Sequence, residues 1–534
     1  VYGFSYEDAL SLPVREEAYV NCTKSRRPEK LSRRCMVTAW NTQLPGTWVP
    51  RVHAVTPENE IAALLLRSMG PTPEPADPGC PALRRSFGKI RRLARRYGGS
   101  RWDLRATAES YTGALRRRYL EAVRSLEEDG PLCSSDSFLR AFLKAEKCRP
   151  GKLAKPRMVF PRSPRYNLVL ASWLKPFEHW LWGNLRGMGS RGVAKTRSCG
   201  KGLNPTERGN LIARKFSAVP DCVVFEVDGK AFEAHEDVWQ IVQEHSVYHA
   251  AYPGDGDLMR VLSKQLFNRG VTSCGVRFGR PGGRASGDFN TGMGNSIVML
   301  AVIDATMREI GTSLYDSLVD GDNALLFVSR SSYQAVVKQF APTALRLSGH
   351  EMTVERPVDV LEGVCFGQSH PLRVGGNWVM VRDWRKVVSQ GTSSHAHLNE
   401  PKFARDYLYG VSLCESWLGS RVPILWKWSE TLRHFTEKGA KVRFDAHRDY
   451  SVLGVPLGEV ENARALPPDE ESRLSFFRAF GVTPDEQIYL EKNLRFPDIS
   501  YVREFRDCFD WRAEDFCGDD DIAHGWGSYG PEGI

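Results

Sequence analysis

The stretch Tyr315–Phe327, YDSLVDGDNALLF, places Asp320-Gly321-Asp322-Asn323 between two short apolar runs. Gly-Asp tips flanked by apolar residues are among the stronger short-range signals for a tight hairpin. A surface hairpin would alternate polar and apolar residues, yet the arm Ala324-Leu325-Leu326-Phe327-Val328 is apolar throughout. That arm is expected to be buried on both faces. Carboxylates at the end of a buried sheet are costly unless something compensates their charge. The hairpin therefore reads either as one half of a metal site or as a plain turn.

A second acidic strand end shifts the balance towards a metal site. In VVFEVDGKAFEAHE, Val223–Glu236, Asp228 closes an apolar strand and Glu233 follows across a turn. Alone, such an Asp is more often a helix cap. Two strand ends with carboxylates, brought together by one sheet, suit hard cations, because Mg²⁺ takes one or two carboxylates plus substrate phosphates. Two ions about 4 Å apart can bridge attacking and leaving oxygens in phosphoryl transfer. Between the two sites lies PGGRASGDFNTGMGNSIVML, Pro281–Leu300, a Gly-rich loop running into a helix. Backbone N–H groups at such a junction can track phosphates, though the loop lacks the GKS or GKT ending of a nucleotide-hydrolysing P-loop.

The 534 residues allow several packed subregions, and a net charge of +9 favours a polyanionic partner over a merely solvated surface. Twelve cysteines without a CxxC pattern indicate reduced thiols rather than a zinc or disulfide framework. No apolar run approaches the ~18 residues of a membrane span, and no signal peptide is visible. The chain begins at Val1 rather than Met, so a longer product is an open expectation. SMGPTPEPADPGCP, Ser68–Pro81, reads as a loop. The two Arg-rich helical stretches after it are as readily solvated faces as nucleic-acid contacts. Helices are expected over Asp237–Ala250, Gly292–Ile310 and Tyr333–Leu347, a hairpin over Val271–Phe278, and a mainly helical part after Arg385. Strands interleaved with helices, without a repeating βαβ unit, give an α+β class.

This order of features resembles the RNA-dependent RNA polymerases of tombusvirus-like positive-strand RNA viruses. KAEKCRPGKLAKPRMVFPRSPRYNLVLASWLKPFE, Lys144–Glu178, is similar to the basic finger motif F of that family. DGKAFEAH resembles motif A, SGDFNTGMGN motif B, and EGVCFGQSHPL with WVMVR the motif E region, while GDN stands where motif C has GDD. The resemblance covers roughly Lys144–Arg385. It implies a right-hand fold whose palm is an antiparallel sheet packed on helices. The expected divisions are an N-terminal region at 1–136 bridging fingers and thumb, fingers at 137–220, and palm at 221–236. A fingers insert at 237–280, palm at 281–385 and thumb with tail at 386–534 follow.

The same resemblance implies the residue roles. Asp228 and Asp322, with Asn323, would hold two Mg²⁺ ions, with Mn²⁺ as the alternative ion, and the carbonyl of Val227 or Gly229 could complete a shell. Lys144, Lys147, Arg157 and Arg162 would line the nucleotide tunnel and neutralise the triphosphate. Glu233, Ser286, Thr291 and Asn295 would recognise the ribose and position template, with Gly287 giving loop freedom. Two departures matter. Glu233 stands where the family has Asp, one methylene shorter, and Asn323 lowers the site's formal charge by one, which should weaken Mg²⁺ binding. Asp320 compensates only if the turn bulges. Arg346, His350 and Arg356 are candidates for the acid that protonates pyrophosphate. The tail triplet Gly518-Asp519-Asp520 has no flanking strands and reads as a solvated decoy.

Template RNA and NTPs are the implied partners. Other viral replication proteins and host membranes would be reached through a missing N-terminal portion, at cytoplasmic replication sites of the host. The competing reading is a catalytically weakened RNA-binding scaffold of a replication complex. Reverse transcription shares the paired-Asp palm, but the turn lacks an aromatic-x-Asp-Asp arrangement.

Overall fold

The computed structural model describes residues 14–29, 34–39, 44–150, 154–495 and 508–509; the tail triplet Gly518-Asp519-Asp520 lies outside them. The fold is mixed α+β, built around a four-stranded antiparallel sheet. Its strands run in the order Met352–Val354, Cys222–Gly229, Asn323–Ser329, Tyr315–Asp320.

Both faces of this sheet are covered, which explains the unbroken apolar arm. Side chains of successive strand residues point to opposite faces. Val223, Phe225 and Val227 join Ala324, Leu326 and Val328 in the main core. Val224, Leu325 and Phe327 point the other way, into a second cluster with Ile212, Val364, Phe366 and Met380. Each fully buried Val, Leu or Phe contributes roughly 1.5–3 kcal/mol relative to exposure, so a one-residue slip in register would be heavily penalised.

Among the helices of the first face's core are Pro81–Ala94, Pro164–Asn184, Val238–Ala251, Thr291–Ile310 and Tyr333–Ser348. The Thr291–Ile310 helix is buried on all sides from Met293 to Met307, as expected for a helix apolar all round. It stops at Gly311, whose positive φ of 82° forms the left-handed cap. The Val238–Ala251 helix starts where Asp237 accepts the Gln240 N–H at 2.7 Å. The Arg-rich helix Pro81–Ala94 buries Leu83, Phe87 and Ile90, and Lys89 reaches Asp304 at 2.7 Å.

A second, five-stranded sheet has the order Tyr19–Asn21, Arg277–Pro281, Phe267–Thr272, Leu139–Leu143, Met158–Val159. Its hairpin is longer than the expected Val271–Phe278, because Asn268, Arg269 and Gly270 interrupt the apolar pattern that marks a strand. The N-terminal part pairs in three places: Tyr19–Asn21 edges this sheet, Val37–Thr38 pairs with Ser393–Ser394, and Val52–His53 runs parallel to Cys508–Phe509. Beyond Trp384 the chain is mainly helical, with Pro401–Leu418, Leu425–Thr436, Glu470–Phe480 and Pro484–Asn493. Trp384 and Trp428 are buried in the core that these helices share. The described cysteines are free thiols, and among the described residues no helix is long and apolar enough to cross a membrane.

Candidate active site

The hairpin closes with a two-residue loop, since Asp320 pairs with Asn323. Gly321 takes the first loop position with φ 67°, the left-handed backbone such a loop requires. The next strand over brings Asp228 directly opposite Asn323. The Gly229 N–H donates to the Asp322 carbonyl at 3.1 Å, tying the two acidic strand ends together. The Gly321 N–H donates to Ser296 Oγ at 2.9 Å, and Ser296 in turn donates to the Gly292 carbonyl. The tip of the hairpin is thus fastened both to its neighbouring strand and to the long buried helix.

Negative charge accumulates here. Burial in the cleft, then the Asp322 and Glu355 carboxylates, push Asp228 up to about 7, although its side chain remains reachable by solvent. Burial and Glu233 raise Asp322. Glu226 rises to about 8 through burial, Asp228, Glu355 and Asp322. Carboxyls that hold protons this tightly are short of positive charge, so the site fits a divalent cation. The donors are hard oxygens, from Asp228, Asp322 and the Asn323 amide. Among the described residues no three acidic, His or Cys side chains form a ready-made cage.

The elevated Asp228 has a sign that can be tested. A carboxyl that binds its proton more tightly when folded makes the metal-free fold lose stability as pH rises from about 4 through about 7. Divalent cations compete with that proton. Mg²⁺ is therefore expected to raise the melting temperature more at about pH 8 than at about pH 6. Equal shifts at both would contradict the assignment.

The other expected residues divide into those facing this cluster and those engaged elsewhere. Arg157 lies 3.7 Å from Glu233 and 3.8 Å from Glu146, and Lys144 lies 3.1 Å from Glu146. Arg157 also offsets charge at Asp228 and Asp322. Asn295 is buried and its amide oxygen has no hydrogen-bond partner, leaving it available to an incoming group. Thr291 Oγ1 donates to the Ala285 carbonyl at 2.8 Å, and Ser286 Oγ donates to the Met158 carbonyl at 3.4 Å.

Three expectations are corrected. Arg162 is not a tunnel residue: its Nε donates to Asp288 Oδ1 at 2.8 Å, its Nη1 to the Ser137 carbonyl at 2.6 Å, and its Nη2 to Asn268. Its side chain is only 1% exposed. Lys147 donates to the Gln390 carbonyl at 2.7 Å, and burial pulls it down to about 8. Gly287 answers to space rather than loop freedom, for a Cβ there would lie 2.6 Å from the Pro161 backbone. Asp320 could compensate for Asn323 only through a bulge; the turn has none, and Asp320 is held by Lys201, at 2.8 Å, and by Arg208. Of the proton-donor candidates, His350 is buried against Gln240 and kept neutral by burial, and Arg346 pairs with Glu309. Sequence reasoning missed Glu226 and Glu355. Glu226 was detectable, because an acid two residues before Asp228 in an apolar strand must share its face.

Comparison with known proteins gives the family. Residues 79–499 match the family described as "Viral RNA dependent RNA polymerase", and the chain belongs to that family. It is 31% identical over 525 residues to the RNA-directed RNA polymerase of Red clover necrotic mosaic virus, covering 92% of this chain and 66% of that protein. It is 31% identical over 388 residues to the RNA-directed RNA polymerase of Tomato bushy stunt virus (strain Cherry), covering 72% of this chain and 46% of that protein. The corresponding protein of Carnation mottle virus is 30% identical over 441 residues, covering 80% and 54%. The chain thus spans about half to two thirds of the length of the curated relatives it matches.

Proposed function

We propose that this chain is an RNA-directed RNA polymerase that copies a viral RNA genome from NTPs. The observation that carries the reading is the placement of Asp228 and Asp322 on tied neighbouring strand ends, in a cluster short of positive charge. Asp228, Asp322 and the Asn323 amide would hold Mg²⁺ or Mn²⁺. Such ions activate the attacking 3′-hydroxyl and neutralise charge developing on the leaving pyrophosphate. Arg157 and Lys144 would meet the triphosphate, exchanging their contacts with Glu233 and Glu146 for it. Glu233 and the unpartnered amide of Asn295 would read the ribose, with Ser286 and Thr291 shaping the loop between them. Catalysis would come from positioning and preorganised charge.

In this reading 221–236 and 281–385 are the palm, and 137–220 with 237–280 the fingers. Residues 386–534 would be the thumb and C-terminal tail, and 1–136 the bridge between fingers and thumb. The strand pairings of Tyr19–Asn21 and Val37–Thr38 support that bridge. Template RNA and NTPs are the partners, and other replication proteins or host membranes would be engaged by parts of a longer product.

Extension of an RNA template by the purified chain, with Mg²⁺ and separately with Mn²⁺, tests the proposal. RNA binding without incorporation under either ion would instead favour a scaffold, the reading that Asn323 keeps open. Asn323→Asp restores the missing charge and is expected to keep or raise synthesis in Mg²⁺, with half-saturating Mg²⁺ lowered severalfold in a metal titration. Loss of Mg²⁺-dependent synthesis in that variant would contradict the role given to Asn323.

A further inference from the structure

The turn that carries Glu233 cannot hold its own shape. Its helix, Phe232–His235, is a single turn of four residues, entered through Ala231 at a positive φ of 43°. A non-glycine residue keeps that backbone only where its surroundings fix it. Those surroundings come largely from the segment leading into the Ser286 loop. The Gly283 N–H donates to the Glu236 carbonyl at 2.7 Å and the Arg284 N–H to the Glu233 carbonyl at 2.9 Å. Arg280 Nη2 donates to the Ala234 carbonyl at 3.1 Å. The Arg284 side chain donates to both oxygens of Glu244, Nη1 to Oε1 at 3.3 Å and Nη2 to Oε2, and Nη2 also lies 2.7 Å from Glu236 Oε2. All three side chains are at most 2% exposed. Glu244 further accepts from Asn290 Nδ2 at 2.9 Å, and Asn290 opens the helix that bears Asn295. A Cβ on Gly294, the residue before Asn295, would run into both Glu244 and Arg284.

Two buried carboxylates around one arginine leave an excess of negative charge, and a well-packed apolar trio commonly matches or exceeds such a cluster in stability. Burial pushes Glu236 up; at Glu244 burial acts the same way but is outweighed by the Arg284 guanidinium, which holds it below the ordinary carboxylate range. The ionised pair is therefore Arg284 with Glu244. What this pair supplies and an apolar core does not is a fixed angle and distance, because a planar fork meets a carboxylate in one geometry. It links the backbone of Glu233 to the helix of Asn295, the two groups that would read the ribose. Glu233 has one more rotatable bond than an Asp, so where its carboxylate arrives depends on how firmly its backbone is held. We propose that Arg284 is a positioning residue for sugar selection, setting the spacing at which Glu233 and the Asn295 amide both meet a 2′-hydroxyl. This role rests on the polymerase reading and deepens it.

The test is steady-state incorporation of one nucleotide on an RNA template, comparing kcat/KM for an NTP with that for the matching 2′-deoxy NTP. It is run on the parent, Arg284→Lys and Glu244→Gln. Lys keeps the charge but loses the fork. Gln keeps the carboxylate's shape while relieving the excess negative charge, so this variant should fold even where Arg284→Lys does not. In both, the preference for the ribose sugar is expected to fall about tenfold, the worth of roughly one hydrogen bond to a charged group, with the loss concentrated on the NTP. A merely structural role would lower both nucleotides together and leave their ratio unchanged. That result in folded variants would overturn the proposal, as would a parent that does not distinguish the two sugars. A parent that incorporates neither nucleotide, with Mg²⁺ or with Mn²⁺, is a separate failure: it removes the polymerase reading itself and the role of Arg284 with it.

Discussion

Replacing Asp322 with Ala is expected to abolish RNA synthesis, by at least about 10³-fold, since removal of a single charge-stabilising donor commonly costs 10²–10³ and this residue would anchor cations. The loss should not come from unfolding. Burial and the neighbouring Glu233 disfavour the Asp322 carboxylate, so its removal relieves charge crowding in the metal-free protein. The main-chain tie from Gly229 to the Asp322 carbonyl does not depend on the side chain. A melting temperature at or above that of the parent, together with retained RNA binding, would separate chemistry from stability. Incorporation at the parent rate would remove Asp322 from the site.

The second large effect concerns Arg162, where the expected outcome is structural. Arg162→Met should destabilise the fold by about 3–5 kcal/mol in a denaturant titration, because it strands the buried Asp288 carboxylate without its partner. Asp288 is already pushed up by burial, and Arg162 is the first group that offsets this. Adding Asp288→Asn removes the stranded charge and should recover much of the loss, the coupling that a double-mutant cycle detects. Lys144→Met provides the contrast. Its partner Glu146 is at a half-exposed position, so a change within about 0.5 kcal/mol is expected. A loss below about 1 kcal/mol for Arg162→Met would contradict the buried-pair account.

This pair also shows what a sequence can and cannot disclose. The hairpin, the acidic strand end at Asp228 and the long helix after Asn290 were legible, because each is written in local periodicity and turn chemistry. Two-sided burial of Ala324–Val328 was legible too, since only a sheet covered on both faces tolerates that run. Within the basic segment, however, Lys144, Lys147, Arg157 and Arg162 look alike. What separates them is their partners: Asp288 lies 126 positions from Arg162, and Gln390 lies 243 positions from Lys147. No local pattern encodes such pairings. The same holds for Asp320, whose claim as a ligand is settled by Lys201 and Arg208 arriving from a distant loop and helix. Glu226 is the opposite case: strand alternation alone puts it beside Asp228.

The claim on which the account depends is that the Asp228 and Asp322 carboxylates together bind divalent cations. Anomalous scattering from crystals of the protein soaked with Mn²⁺ measures this directly. The account predicts a peak within ligand distance of both carboxylates, with the Asn323 amide at its edge. Mn²⁺ bound elsewhere, with nothing between Asp228 and Asp322, would contradict it.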